Sequence, residues 1–141
     1  MCMAFDYGIK RIGLAVGNSR LQTTQPLCVV ANRNGTPDWN TIDGQISDWR
    51  PEVFIVGWPL EESGQESALC NHVRGFSKRL QKRYQLPVEF TDERYSSIAA
   101  QDEIKTLRRR GQMTRHSTHG DVDKIAAALL LETWFSEHGT K

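Results

Sequence analysis

The sequence predicts an α/β fold: a mixed five-stranded sheet flanked by helices, with the element order βββαβαβαα. Three observations point there. Residues 3–17, MAFDYGIKRIGLAVG, alternate about a polar turn at Tyr7 to Arg11, as two antiparallel strands do. Val53 to Pro59, VFIVGWP, is continuously apolar, the mark of a central parallel strand buried on both faces. Apolar residues then recur at helical spacing after that strand and again near the end of the chain, which supplies helices to cover the sheet.

In chain order, Met3 and Phe5 set the first strand, and Ile12, Leu14 and Val16 the second, opposite the small residues Gly13, Ala15 and Gly17. Cys28 to Ala31 reads as a third, short strand. In the stretch TPDW, Asp38 is placed to cap a helix carrying Trp39, Ile42, Ile46 and Trp49 on one face. The apolar strand at 53–59 follows. Leu69, Val73, Phe76, Leu80 and Tyr84 then mark a helix, and Pro87 to Thr91 a further short strand. Ser96 or Ser97 caps the next helix, which ends near Gly111. The last helix runs from about Val122 to Ser136 through the apolar IAAALLL.

A chain of 141 residues with no internal repeat or dividing linker suits one domain over residues 1–141. That length buries roughly two thirds of the unfolded surface, enough to fold without disulfides or a structural metal. Cys2, Cys28 and Cys70 are odd in number and scattered, as expected of reduced thiols in a cytoplasmic protein. No apolar run approaches the roughly 18 residues of a membrane span, and the start enters a strand pattern rather than a signal peptide, so no membrane partner is expected. With a net charge of +1, any nucleic-acid contact has to come from local patches.

Three acids stand where chemistry is expected. Asp6 lies where the first strand ends, and open α/β sheets bind ligands beyond the carboxyl ends of their parallel strands. Glu93 follows the strand VEFT in a corresponding place. Asp123 shares a helical stripe with Ala126, Ala127, Leu130 and Trp134, a stripe that should face the sheet, where a carboxylate is costly unless compensated. Taken singly, Asp6 reads as a turn former, Glu93 as a partner of Arg94 or Arg11, and Asp123 as a helix-end charge. Together, three converging carboxylates repel one another unless a cation such as Mg²⁺ or Mn²⁺ relieves them. Two such ions about 4 Å apart serve in-line phosphodiester cleavage. Gly13, Ala15 and Gly17 form a face suited to a closely packed helix.

With these residues in hand, the chain resembles the YqgF/RuvX family, the pre-16S ribosomal RNA nuclease or Holliday-junction-resolvase-like proteins of the RNase H-like superfamily. The resemblance spans nearly the whole chain. It is carried by FDYGIKRIGLAVG at Phe5 to Gly17, VGWPL at Val56 to Leu60, DERYSS at Asp92 to Ser97 and DKIAA at Asp123 to Ala127. It implies an RNase H-like fold and metal-dependent cleavage of nucleic acid in 16S 5′-end maturation. It puts Asp6, Glu93 and Asp123 in the family's acidic triad as metal ligands, and Lys10, Arg11 and Arg94 at its basic positions. The implied partners are the ribosomal RNA precursor or branched DNA, and the ribosome or its precursors, for a monomer or homodimer. Trp58, Ser97 and Asp121 depart from the common pattern; the Trp58 indole would suit base stacking if exposed, and packing beneath a loop is the alternative.

Two basic patches are suited to phosphates. One holds Arg74, Lys78, Arg79, Lys82 and Arg83, and the other Lys105, Arg108, Arg109, Arg110 and Arg115; a solvated helix face and a helix C-terminal charge are the alternatives. A polar loop over residues 111–120, with His116 and His119, precedes Asp123 and is placed to close over substrate. His72 and His138 are assigned to helices; no pair of histidines has zinc spacing. Other functions consistent with the residues are Holliday junction resolution, a non-catalytic RNA-binding module, and a fragment of an actin-like ATPase, whose first phosphate loop DYGIKRIG resembles.

Overall fold

A computed structural model, which describes residues 1–33, 35–59, 63, 65–92 and 119–138, turns the opening alternation into a hairpin. Strand β1 (Cys2–Tyr7) pairs antiparallel with β2 (Arg11–Asn18). The turn is tight enough that a methyl group on Gly8 would sit 2.6 Å from the Arg11 carbonyl oxygen, so glycine is required there. Strand β3 (Thr23–Arg33) continues the meander, followed by β4 (Thr36–Pro37), α1 (Trp39–Trp49), β5 (Val53–Trp58), α2 (Leu69–Tyr84), β6 (Val88–Asp92) and α3 (His119–His138). The sheet order is β4-β3-β2-β1-β5-β6, with β1, β5 and β6 parallel and the other neighbours antiparallel. The mixed sheet expected from the sequence is therefore present.

Six strands stand among the described residues where the sequence suggested five. The additional one, β4, is two residues long and folds back through Gly35, whose φ of 76° lies in the left-handed region. Strand β3 is also far longer than Cys28 to Ala31. Pro26 hides the strand signal because it cannot donate to a ladder. The sheet accommodates it opposite Ala15 through a bulge at Leu14/Ala15, with Leu27 as the inserted residue. Helix α3 spans His119–His138, so His119 and Gly120 belong to it and not to the loop expected over residues 111–120. The helix expected from Ser96 or Ser97 to Gly111 lies outside the described residues.

The sheet separates two layers of unequal side chains. Met3, Phe5, Tyr7, Ile12, Leu14 and Val16 point to the layer of α1 and α2, where they meet Ile42, Val73, Phe76 and Leu80. Cys2, Ala4, Ala15 and Ile55 point the other way, to Ala127, Leu130, Leu131 and Phe135 of α3. The small residues let α3 approach closely, and a methyl on Gly17 would fall 2.9 Å from the Phe135 ring. Asp38 caps α1 as expected, accepting from the Thr41 amide at 3.4 Å and the Thr41 hydroxyl at 2.8 Å.

Helices α1 and α2 are tied at their surface by Asp43, which accepts from Arg83 through Nε at 2.9 Å and Nη2 at 2.7 Å, and from the Tyr84 hydroxyl at 2.5 Å. The Arg83 hydrogen bonds, then that of Tyr84, hold the Asp43 carboxyl at about 2, below the ordinary value of about 3.9. A carboxyl with a depressed native pKa stabilises above its unfolded pKa and loses that contribution as pH falls toward the native value. Asp43→Asn should therefore lower the melting temperature most at neutral pH, with the deficit closing between about pH 4 and about pH 2. Thermal melts of both proteins across that range check this, and a deficit that does not vary with pH would contradict it.

Candidate functional site

Asp6 occupies the position on β1 after Ala4 in the alternation that faces α3. In the hairpin register its partner is Gly13, and directly opposed residues present their side chains to the same face. Over Gly13 lies the first part of α3. A methyl group there would collide with the Asp123 carbonyl oxygen and come within 2.9 Å of the Lys124 nitrogen. The absence of a side chain at Gly13 thus brings Asp123 onto the face that Asp6 shares. Asp6 is half-buried, on a strand bonded to neighbours on both sides.

The compensation that a sheet-facing Asp123 requires comes from β2. The Arg11 Nε donates to Asp123 Oδ2 at 2.9 Å, with the two side chains 42% and 26% exposed. Arg11, expected to meet nucleic acid, is thus engaged with an acid of the site. This half-exposed pair is worth about 1 kcal/mol or less, so it orients Asp123 more than it stabilises the fold. Lys10 is exposed on the turn beside it, next to Ile9, which is 61% exposed.

Asn32 escaped the sequence reading. It is 4% exposed; its Nδ2 donates to the Gly8 carbonyl at 2.8 Å, and its backbone N–H to the Lys10 carbonyl at 3.0 Å. From β3 it braces both sides of the turn that joins Asp6 to Arg11. The available signal was an asparagine following the apolar run of β3, a polar group that burial obliges to find partners.

Other expected site residues are placed differently or lie beyond description. Strand β6 ends at Asp92, and it stands next but one to β1. Glu93, Arg94, Arg108, Arg109, Arg110, Arg115 and His116 lie outside the described residues. Trp58 is half-buried on the α2 layer, edge-on to Phe90 at 5.1 Å and beneath the Arg74 guanidinium at 4.9 Å, so its ring is largely engaged within the protein. Within the first basic patch, Arg74 pairs with Glu66, Arg79 donates to the Gly35 carbonyl at 2.7 Å, and Arg83 binds Asp43. Much of that patch is structural. His72 is exposed on α2.

The oxygen donors of Asp6 and Asp123 suit a hard divalent cation, which commonly takes one or two protein carboxylates and completes its shell with water and phosphate oxygens. Among the described residues, no three His, Cys, Asp or Glu gather into a metal-holding group. No described helix is long and apolar enough to cross a membrane.

Comparison with known proteins identifies the family and the fold. Residues 1–137 match the family described as RuvX: Holliday junction resolvase. A protein of Marinobacter nauticus named "Putative pre-16S rRNA nuclease" is 42% identical over 135 residues, covering 96% of this chain and 92% of its own. One of the same name from Pseudomonas paraeruginosa is 40% identical over 139 residues, covering 98% and 93%. Among solved structures, Thermus thermophilus RuvC in complex with a Holliday junction substrate superposes with a TM-score of 0.55 at 16% identity, over 99% of this chain and 96% of that one. The fowlpox virus resolvase bound to Holliday junction DNA gives 0.53 at 17%, over 99% of both chains. These structural likenesses establish the fold.

Proposed function

Because the chain belongs to the RuvX family and is a nuclease, we propose that it hydrolyses phosphodiester bonds in the ribosomal RNA precursor, maturing the 5′ end of 16S RNA, with Asp6, Glu93 and Asp123 holding Mg²⁺ or Mn²⁺. The observation that carries this reading is the pairing of Asp6 with Gly13 beneath Asp123, which sets two carboxylates on one face at the end of β1. Glu89 and Thr91 are the β6 positions in register with Ile55 and Gly57, and Glu93 is the next residue in that period. The relatives' name supports ribosomal RNA as the substrate.

A bound cation would supply Lewis acidity toward the phosphoryl oxygens and a more acidic attacking water. The chain's own residues do the rest. Asp6 and Asp123 offer fixed oxygen donors, and Arg11 is a positioning residue that orients Asp123 through its 2.9 Å bond. Lys10 is free to meet a phosphate from the exposed turn. Arg94, Arg108, Arg109, Arg110 and Arg115 supply the remaining phosphate contacts, sequence-independent and sensitive to salt. Cleaving one RNA strand needs one site, so a monomer suffices as well as a homodimer, whereas resolving a four-way junction needs two sites in a symmetric pair.

The test is cleavage by purified protein, with Mg²⁺ or Mn²⁺, of leader-bearing 16S RNA, single-stranded DNA and four-way junctions in parallel. Metal-dependent cleavage of the RNA is expected, and cleavage of junctions alone would replace this reading with resolution. The same cation should stabilise the native protein by about 2.7 kcal/mol at a hundredfold excess over Kd. Glu93→Gln should reduce that gain, and equal gains in the wild type and in single variants of all three acids would exclude the site.

A further inference from the structure

On the layer opposite α3, between α1 and α2, a cleft of about 390 Å³ is lined by Trp39, Arg79, Lys82 and Arg83. We infer that this cleft is a phosphoanion site, taking the phosphate of a nucleotide or of a single nucleic-acid strand, separate from the carboxylate face. Four features support it. Three of the four lining residues are cations, against the one carboxylate of Asp43 that binds Arg83. Two of those cations are held before any ligand arrives: Arg79 by its 2.7 Å bond to the Gly35 carbonyl, and Arg83 by its paired bonds to Asp43. Held side chains lose less freedom on binding, which favours affinity.

The third feature is Lys82. Its side chain is exposed and makes no hydrogen bond or ion pair among the described residues, so its three ammonium donors remain for a ligand. The fourth is size and wall chemistry. The volume lies in the usual small-ligand range of roughly 300–1,000 Å³, larger than one phosphate needs and adequate for an attached nucleoside. Trp39 gives the wall an apolar face: its indole stacks on Phe76 at 5.9 Å and 21°, and the Arg83 guanidinium lies over it at 5.1 Å from the ring centre. A guanidinium fixed on an indole presents its own outer plane to a nucleobase.

A carboxylate beside the cleft tempers attraction for any anion. Asp43 is already matched by Arg83, so Arg79 and Lys82 carry the excess charge. The inference does not require the acids to be catalytic, and its failure would leave the cleavage assay unaffected.

The experiment titrates pyrophosphate, and separately a single-stranded RNA tetranucleotide, into ¹⁵N-labelled full-length protein with EDTA present, in phosphate-free buffer at low salt. The readout is the Trp39 indole N–H resonance, identified by its loss in Trp39→Phe. Saturable shifts of that resonance are expected with at least one probe. Lys82→Glu should weaken the affinity about tenfold or more and Lys82→Arg should retain it. The exposed position of Lys82 makes the folded spectrum of both variants a direct control. Tighter binding of the tetranucleotide than of pyrophosphate identifies a nucleic-acid strand as the source of the phosphate, and the reverse identifies a free phosphoanion. If neither probe moves the Trp39 signal, or Lys82→Glu binds as tightly as the wild type, the inference is overturned.

Discussion

Asp6→Asn should abolish cleavage, by about 10³-fold or more, in a protein that remains folded. Asparagine is nearly isosteric with aspartate, and the position is half-buried at a strand end, so the shape of the site is retained while its charge is lost. The change removes one of two carboxylates that the Gly13 gap brings to a common face, and with it much of the attraction for a divalent cation. Nucleic-acid binding should survive or tighten, because one negative charge near the phosphates has gone. Parallel measurements of cleavage and binding separate the alternatives. A non-catalytic RNA-binding module would leave RNA intact in both forms and bind it almost equally. An actin-like ATPase would show metal-dependent ATP turnover in the wild type that the substitution removes. Folded Asp6→Asn protein that cleaves as fast as the wild type would remove Asp6 from the site.

Gly13→Ala should cost about 3 kcal/mol and lower the melting temperature by about 10 °C. The added methyl meets backbone: the Asp123 carbonyl oxygen and, at 2.9 Å, the Lys124 nitrogen. A flexible side chain could turn aside, but here the whole start of α3 has to move off the sheet. That movement also draws Asp123 away from Asp6 and stretches its bond to Arg11, so cleavage should fall further than the lost stability explains. Gly44→Ala is the matched control. It sits within α1 with nothing within 4 Å of the added methyl, so it should stabilise by about 0.5–1 kcal/mol through helix propensity. Comparable destabilisation by both substitutions would contradict the assignment of the Gly13 loss to the crossing of α3.

Local pattern carried much of the fold. The alternation of Met3 and Phe5, the unbroken Val53 to Trp58, and the spacing from Leu69 to Tyr84 each report which side of one element is covered, and the corresponding elements lie within a residue or two of expectation. Asp38 was legible as a cap because a cap is a contact with residues three positions away. Pro26 shows the opposite case. Its missing donor argues against a strand, and only pairing with β2 reveals a bulge that tolerates it.

The layered α/β plan, the small-residue face at Gly13, Ala15 and Gly17, and the acids Asp6, Glu93 and Asp123 as the candidate chemistry were legible in the residues alone, since period and residue type act over a few neighbours. That Arg11 binds Asp123, 112 positions away, that Asn32 braces the Gly8 to Lys10 turn, and that Arg74, Arg79 and Arg83 are anchored to Glu66, Gly35 and Asp43 emerged from the packed fold. A cation's nearest acceptor depends on strand register and helix placement, which arise when the two layers close on the sheet; the composition of a basic stretch is the same whether its charges face a phosphate or a neighbouring helix.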